Sequence, residues 1–504
     1  MRRKKIGIIV IATFCTWLVA YFLFIHCPSC QRDDDVLKQL PRRMMEIKNL
    51  ENKIKTLTKD YNTLVEKIKE TINNNRNSIS SYKSQKLNSG KKDDIPDDKI
   101  NNKEEKLYAD DNRNKDTVQM MGVQENGDFP DKPLQSVNMS EGVSELELRM
   151  RSLSQAKLEN GGPVIAVLVL SCNRETVQRC LNQLLKWRPS KQQFPIIVSQ
   201  DCSHQPTTDV ILSYGDQLTL IKQPDQTDIV IPPKEKKFKG YFKIARHYGW
   251  ALNQTFLNFK FDTVIVVEDD LDIAPDFFEY FLGTYWLLKR DPTLWCVSAW
   301  NDNGKAGLVD ETHPELLYRT DFFPGLGWML TSSLWYELMV KWPKSYWDDW
   351  IRKTEQRKDR ACIRPELPRT KTFGKIGVSN GMFYDKHLKY IKLNEQFVSF
   401  TKLNLSYLLK DNYDVAFVKE VYSTPVVSYQ ELRGGTIVSD GPVRIPYHNK
   451  DQYKRTAKYL GLMDDFRSGV PRTAYRGVVS LSYSGRRVYL APDSNWRNYD
   501  ISWS

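Results

Sequence analysis

Hydrophobic patterning divides the 504-residue chain into three regimes. Ile6 to Ile25 is an unbroken run of 20 residues without a charge, long enough to cross a bilayer as a helix. The chain then turns polar. Leu50, Ile54, Leu57, Tyr61, Leu64 and Ile68 step by fours and threes among Lys and Glu. That seam predicts either a short coiled coil within 40–72, which would pair two copies, or a solitary amphipathic helix. Asn73 to Asp131 is rich in Asn, Lys, Ser and Asp and predicts a disordered spacer. Near Pro163 the pattern changes again. Val164–Leu170 is an unbroken apolar run, as expected of a strand buried on both faces. Val177, Cys180, Leu181, Leu184 and Leu185 follow with helical spacing. Strands are predicted at Pro195–Gln200, Leu218–Ile221 and Thr263–Val267, with a helix on Ile244, Tyr248, Leu252 and Phe256. Alternation of this kind predicts a parallel α/β sheet, whose ligands bind beyond the carboxyl ends of the strands.

Charge sharpens the division. The chain has 74 Lys+Arg against 62 Asp+Glu, a net of +12, which by itself invites a nucleic-acid reading. Residues 1–30 carry four basic and no acidic residues, residues 31–150 are neutral to within one charge, and 151–504 keep a net of +9. The basic cluster Arg2–Lys5 precedes the apolar run, so the positive-inside rule holds it in the cytosol. The predicted layout is a cytosolic tail (1–5), a transmembrane signal anchor (6–25), a stem (26–150) and a lumenal globular part. No nucleic acid is then an expected partner. Aromatics agree: only four lie in 31–150 and 50 in 151–504, so a large core can form only in the latter. Cys27 and Cys30 flank the span and could be acylated or form interchain disulfides. Sequons stand at Asn138, Asn253 and Asn404, the last two inside folded segments.

Candidate chemistry sits at the predicted strand ends. The first ends in Ser171-Cys172-Asn173-Arg174. It has none of the glycines of a dinucleotide site. Arg174 could grip a phosphate or a base edge, or be a surface charge at a helix start. The second ends at Asp201, a carboxylate able to accept from a base or ribose. If these two strands are neighbours, Cys172 and Cys202 lie side by side in disulfide geometry. Cys296 and Cys362 remain as a second pair, and Cys180 stays free on the apolar stripe. A further strand ends in Glu268-Asp269-Asp270. Three adjacent carboxylates repel one another unless a cation joins them, and a hard divalent ion with substrate phosphates suits such oxygens. His247 falls on a helix and could bond a nucleotide phosphate or ribose, or simply pack. Trp347-Asp348-Asp349-Trp350 could be a carbohydrate-facing floor with a general base, or a capped helix start with its Trp residues in the core.

Six stretches carry a resemblance to a known family: SCNRETVQRCL, FKIARHY, VVEDDLDIAPDFFEYF, WPKSYWDDW, RACIRPE and GKIGVSNGMFYDKHLKYIKLN. In this order, within a resemblance that covers essentially all of 163–504, they resemble the N-acetylglucosaminyltransferase I family. The resemblance implies an α/β, GT-A-type nucleotide-sugar fold at 163–374 with a parallel or mixed sheet, a donor-covering loop and linker at 375–410, and a smaller C-terminal α+β domain at 411–504. It implies that Arg174, Asp201, His247, Glu268, Asp269 and Ser379 bind the donor UDP-GlcNAc, that Asp270 ligates Mn²⁺, and that Asp348 is the catalytic base. The disulfides it implies are Cys172–Cys202 and Cys296–Cys362. The expected reaction is inverting β-1,2 transfer of GlcNAc to the α-1,3-arm mannose of a five-mannose N-glycan, in the Golgi membrane. The competing expectations are transfer to O-linked mannose, or a non-catalytic lectin or scaffold.

Overall fold

The computed structural model describes residues 143–503, apart from Ile376, Ser379, Asn380 and Met382, together with Lys48, Lys59 and Thr63. The expected signal anchor, coiled coil, spacer and Asn138 sequon lie outside the described residues, as does Ser379. Among the described residues no helix is long and apolar enough to cross a membrane.

The folded unit begins earlier than the sequence pattern implied. Helix α1 (Glu145–Ser154) starts on a Ser144 cap and runs through residue 150, where the stem was expected to end. It docks on the sheet layer: Met150 is fully buried, Arg149 donates to Thr219 Oγ1 at 2.8 Å, and Arg151 donates to the Asn258 carbonyl at 2.7 Å. Leu146 and Leu153 pack on the same core, so Leu146, Met150 and Leu153 form a short apolar stripe at helical spacing.

Then follow β1 (Ala166–Ser171), α2 (Val177–Trp187), β2 (Ile196–Gln200), α3 (Gln205–Leu212), β3 (Thr219–Lys222), α4 (Lys239–Asn253) and β4 (Thr263–Glu268). These strands run parallel in the order β3-β2-β1-β4. Along β1, Val167 and Val169 enter one core while Ala166, Leu168 and Leu170 enter the other. Alternate side chains leave a strand on opposite faces, so a strand between two apolar layers must read as a continuous apolar run. The buried face of α2 carries Val177, Cys180, Leu181 and Leu184, the predicted stripe.

The second half departs from a parallel sheet. After β5 (Leu271–Ile273), α5 (Phe277–Arg290), β6 (Leu294–Ser298) and β7 (Leu317–Thr320), strand β8 (Trp328–Thr331) inserts antiparallel between β4 and β6. Helices α6 (Ser332–Met339) and α7 (Trp347–Ile351) follow, then β9 (Ala361–Pro365) beside β6 and β7. The eight-stranded sheet is therefore mixed, β3-β2-β1-β4-β8-β6-β9-β7. A short ribbon of β5 and β10 (Thr370–Thr372) pairs antiparallel beside it.

The C-terminal part holds α8 (Lys410–Ser423), β11 (Val443–Pro446), α9 (Lys450–Leu460), the small hairpin β12 (Phe466–Arg467) and β13 (Val470–Pro471), and β14 (Val479–Tyr483) and β15 (Arg486–Ala491). Its sheet, β11-β15-β14, has its own core. Yet α8 sends Tyr413, Phe417 and Val421 into the core of the large sheet, and Phe322, which follows β7 of the large sheet, enters the C-terminal core. The two layers thus share residues in both directions.

Both expected disulfides form. Cys172–Cys202 joins the ends of β1 and β2 with Cα atoms 5.2 Å apart, and Cys296–Cys362 joins β6 to β9 at 4.6 Å. Cys180 is free and buried. Of the described sequons, Asn253 is engaged in packing, its side-chain oxygen accepting from Trp335 Nε1 at 3.0 Å, whereas Asn404 is exposed.

Candidate active site

Strand order places the site. From β1 the chain moves outward to β2 and β3, then returns to the opposite side of β1 with β4. The crevice beyond the carboxyl ends of β1 and β4 is a topological switch point. Register fixes what faces it: Leu170 pairs with Glu268, and Ser171 pairs with Gln200. Backbone bonds carry the alignment past the strand ends, Asp269 N to Leu170 O at 3.1 Å and Asp201 N to Ser171 O at 2.9 Å. Arg174, Asp201 and the acidic triplet are therefore brought together by sheet register, although they are far apart in sequence.

Arg174 is the local counterion. Its Nη1 stands 2.7 Å from Asp270 Oδ2 and 3.4 Å from Asp269 Oδ1. Burial works against the guanidinium charge, but Asp269, Asp270 and Glu268 outweigh it and raise its pKa. One arginine does not neutralise three acids. Burial, then the charge of Asp270, pushes the Glu268 carboxyl up to about 7, although a hydrogen bond from Tyr248 favours its ionised form. Burial likewise raises Asp269 to about 6, against the pull of Arg174. The Tyr248 hydroxyl donates to Glu268 Oε1 at 2.7 Å. In the sequence Tyr248 stands only at an apolar helix position.

The β5–β10 ribbon closes this corner. Phe373 N donates to the Asp270 carbonyl at 2.9 Å. At Gly374 an added Cβ would lie 2.0 Å from Asp270 Oδ2, so only glycine lets the chain pass. Further along, a Cβ on Gly377 would come within 3.0 Å of Arg174 Nη2, and Gly240 of α4 packs against Val378. Gly377 and Val378 therefore rest on Arg174 and α4.

Asp201 is buried, and its Oδ1 accepts from Gln226 Nε2 at 3.1 Å. His247 is buried on α4 with Nε2 2.8 Å from Ser199 Oγ on β2. Burial lowers its imidazole to about 4, the charge of Asp201 opposing and Arg246 adding to the shift. In this state a neutral His247 braces α4 against β2.

The Trp-Asp-Asp-Trp segment resolves into short α7. Trp347 is buried and packs on Tyr248 with ring centroids 4.3 Å apart, and Trp350 packs against the same core. The Trp residues are thus core, and the two acids are what α7 offers to the surface. Arg352 Nη1 donates to Asp348 Oδ2 at 2.9 Å and to Asp349 Oδ1 at 3.1 Å. Arg467 of β12 adds a bond to Asp349 Oδ1 at 2.9 Å. The Asp348 side chain remains 44% exposed, and its charge reaches Glu268 and Tyr248, so it stands across the same corner from the triplet. Neither Arg352 nor Arg467 carries a local sequence signal; each is defined by what it touches.

Among the described residues no cluster of three or more His, Cys, Asp or Glu side chains is arranged to hold an ion. The triplet can offer one or two hard carboxylate oxygens and no closed cage. That donor set fits a magnesium- or manganese-like ion completing its shell with substrate phosphates, and does not fit zinc.

The site is thus an acidic corner at the switch point of a mixed sheet, closed by a ribbon that passes it at Gly374. Residues 133–503 match the GNT-I family profile, and the chain belongs to that family. A curated relative from Arabidopsis thaliana, alpha-1,3-mannosyl-glycoprotein 2-beta-N-acetylglucosaminyltransferase, is 43% identical over 347 residues, covering 67% of this chain and 77% of the relative. Solved structures are similar only faintly. A mannosyltransferase from Pyrobaculum calidifontis with GDP-Man and Mn²⁺ has 14% identity and a TM-score of 0.29, over 44% of this chain and 64% of that one. S. aureus TarS 1-349 with UDP-GlcNAc has 14% and 0.29, over 51% and 67%. Likeness at that level carries no argument.

Proposed function

We propose that the chain transfers GlcNAc from UDP-GlcNAc in β-1,2 linkage to an α-1,3-linked mannose of a five-mannose N-glycan on glycoproteins. The observation that carries this is family membership at 43% identity, joined to an intact acidic corner facing Asp348. The donor sugar is α-linked and the product β-linked, so one in-line displacement through an oxocarbenium-like state suffices. Asp348, partly exposed and oriented by Arg352, takes the proton from the mannose 2-hydroxyl. Arg174 orients the diphosphate, while Glu268 and Asp269, held by Tyr248 and Arg174, position sugar and ribose. Asp201 and His247 shape the uridine side, and the diphosphate contact assigned to Ser379 comes from the family resemblance. Asp270 would hold Mn²⁺ with the donor phosphates; when bound, the ion supplies charge stabilisation for the leaving diphosphate.

We place the enzyme in the Golgi membrane as a single-pass type II protein with a lumenal catalytic unit, paired through its stem. The disulfides Cys172–Cys202 and Cys296–Cys362 support an oxidising compartment. The test is incubation of the chain with UDP-GlcNAc, Mn²⁺ and either a five-mannose N-glycan or an O-mannosyl peptide. Transfer to the N-glycan alone is expected. Preference for the O-mannosyl peptide, or no transfer to either, refutes the reading.

A further inference from the structure

The last residues of the chain fold back on the β12–β13 hairpin and leave a cleft of about 180 Å³. Gly469, at the tip of the hairpin, has φ +79°, and a Cβ there would lie 2.4 Å from the Asp500 carbonyl oxygen. Turn and tail are thus in backbone contact, and the cleft is built by that contact. Its floor and walls are aromatic. The Tyr447 hydroxyl donates to the Gly477 carbonyl at 2.7 Å, and the Tyr499 hydroxyl to Asp321 Oδ2 at 2.6 Å. Both hydroxyls are therefore turned into the protein, and the rings are what the cleft receives. Trp496 stands edge-to-face on Tyr499, with centroids 4.8 Å apart and planes at 70°.

Two amides around these rings are unspent, whereas the carboxylate of Asp500 accepts from Ser502 N at 2.9 Å and Ser502 Oγ at 2.7 Å. Asn495 and Asn498 line the cleft, and their side-chain amides make no hydrogen bond among the described residues. Each offers two donors and two acceptors. Asp493 gives one oxygen, Oδ2, to His448 Nδ1 at 2.9 Å. No Lys or Arg lines the cleft, while Asp493 and Asp500 do. That charge pattern disfavours an anionic ligand and leaves a neutral one. Flat apolar faces beside two free amides match a pyranose, which has an apolar C–H face and a rim of hydroxyls. The volume is small beside the ~300–1,000 Å³ of drug-sized pockets, and suits a single sugar unit.

The cleft is mechanically tied to the chemistry. Its wall residues Gly469 and Pro471 belong to the hairpin whose Arg467 bonds Asp349, next to Asp348. We infer that this cleft is a second carbohydrate subsite, binding a neutral hexose unit of the acceptor glycan other than the one that reacts. The inference rests on the glycosyltransferase reading above.

The test uses the full chain and two variants, Trp496→Ala and the double variant Asn495→Ala/Asn498→Ala. The second changes only amides without internal partners, so it folds even if the first does not. Direct binding of a five-mannose N-glycan, in the absence of donor, is measured by calorimetry and by ligand-observed NMR. KM and kcat are measured for that glycan and for a minimal mannosyl disaccharide acceptor. The cleft predicts glycan binding weakened by about tenfold in both variants, which is 1.4 kcal/mol. It also predicts KM for the large acceptor raised by the same factor, with kcat and the disaccharide KM unchanged. Unaltered glycan binding in the amide variant overturns the subsite, as does an equal effect on both acceptors. If wild-type protein binds the glycan through the cleft yet transfers nothing, the proposed reaction fails and the subsite stands.

Discussion

Gly374→Ala adds one carbon at the corner where the account is most demanding. The new Cβ would lie 2.0 Å from Asp270 Oδ2, 2.7 Å from Cγ and 2.9 Å from Cβ. Non-bonded heavy atoms rest ~3.5–4.0 Å apart. Turning the carboxylate relieves the oxygen contact but not the contact with Asp270 Cβ, which moves only with the backbone. The backbones are themselves joined by Phe373 N to Asp270 O at 2.9 Å. The ribbon and the β4–β5 turn must therefore part, by about 1 Å, carrying Asp270 away from Arg174. Gly374 does not have a positive φ, so the penalty is steric. Overpacking costs ~1–3 kcal/mol of stability, whereas a ~1 Å displacement at a reacting centre can cost ~100-fold in rate. Steady-state kinetics, calorimetric titration of UDP-GlcNAc and thermal unfolding should be run on the same preparation. The expected pattern is a loss of kcat/KM of about 100-fold with only a modest fall in Tm. Gly377→Ala is the control: its Cβ would meet only the flexible end of Arg174, at 3.0 Å, and it should lose much less. Wild-type kcat/KM in Gly374→Ala would refute the reasoning.

Other expectations follow from the same geometry. Folded His247 titrates near 4 rather than 6.5, so the unfolded chain binds more protons between those values. Stability should then fall as pH drops from 6.5 to 4, by about 3 kcal/mol at 1.36 kcal/mol per pKa unit; denaturant melts of wild type and His247→Gln, compared across that window, should show this difference. Arg369 and Asp276 are fully buried and 3.0 Å apart, so Arg369→Met should cost ~3–5 kcal/mol by stranding the carboxylate. The double variant Arg369→Met/Asp276→Leu should recover much of the loss in the same melts. The disulfides close loops of 30 and 66 residues, and replacing either pair by serine should cost about 4 kcal/mol in the chain-entropy account. Arg352→Gln should lower kcat more than donor affinity, because Arg352 bonds both Asp348 and Asp349; equal loss of donor binding would contradict its positioning role.

What could be read from the chain tracks how local each signal is. The β1 run and the α2 stripe are legible because a strand between two apolar layers and an amphipathic helix impose short periodicities. The triplet Glu268–Asp270 is legible because it directly follows such a run. Cys172 and Cys202 could be paired once β1 and β2 were taken as neighbours, which they are. Strand direction has no local signature: β8 is as apolar as β1, yet runs antiparallel between β4 and β6. The docking of α1 rests on the short stripe Leu146, Met150 and Leu153 and on two arginines whose partners, Thr219 and Asn258, lie far along the chain. Within the site, the carboxylates were visible, but the groups that hold them were not. Tyr248, Arg352, Arg467 and Gly374 are ordinary residues until the fold sets them against an acid. Trp347 reads from the sequence either as a sugar-facing floor or as core, and the fold settles it as core beneath Tyr248.

The most direct test of the central claim is transfer by Asp348→Asn beside wild type, with product linkage and anomeric configuration read by NMR and UDP-GlcNAc affinity by calorimetry. The account predicts a β-1,2-linked GlcNAc product from wild type. It predicts none from the variant, with donor affinity retained, because only the proton acceptor has been removed. Transfer by Asp348→Asn at the wild-type rate would contradict it.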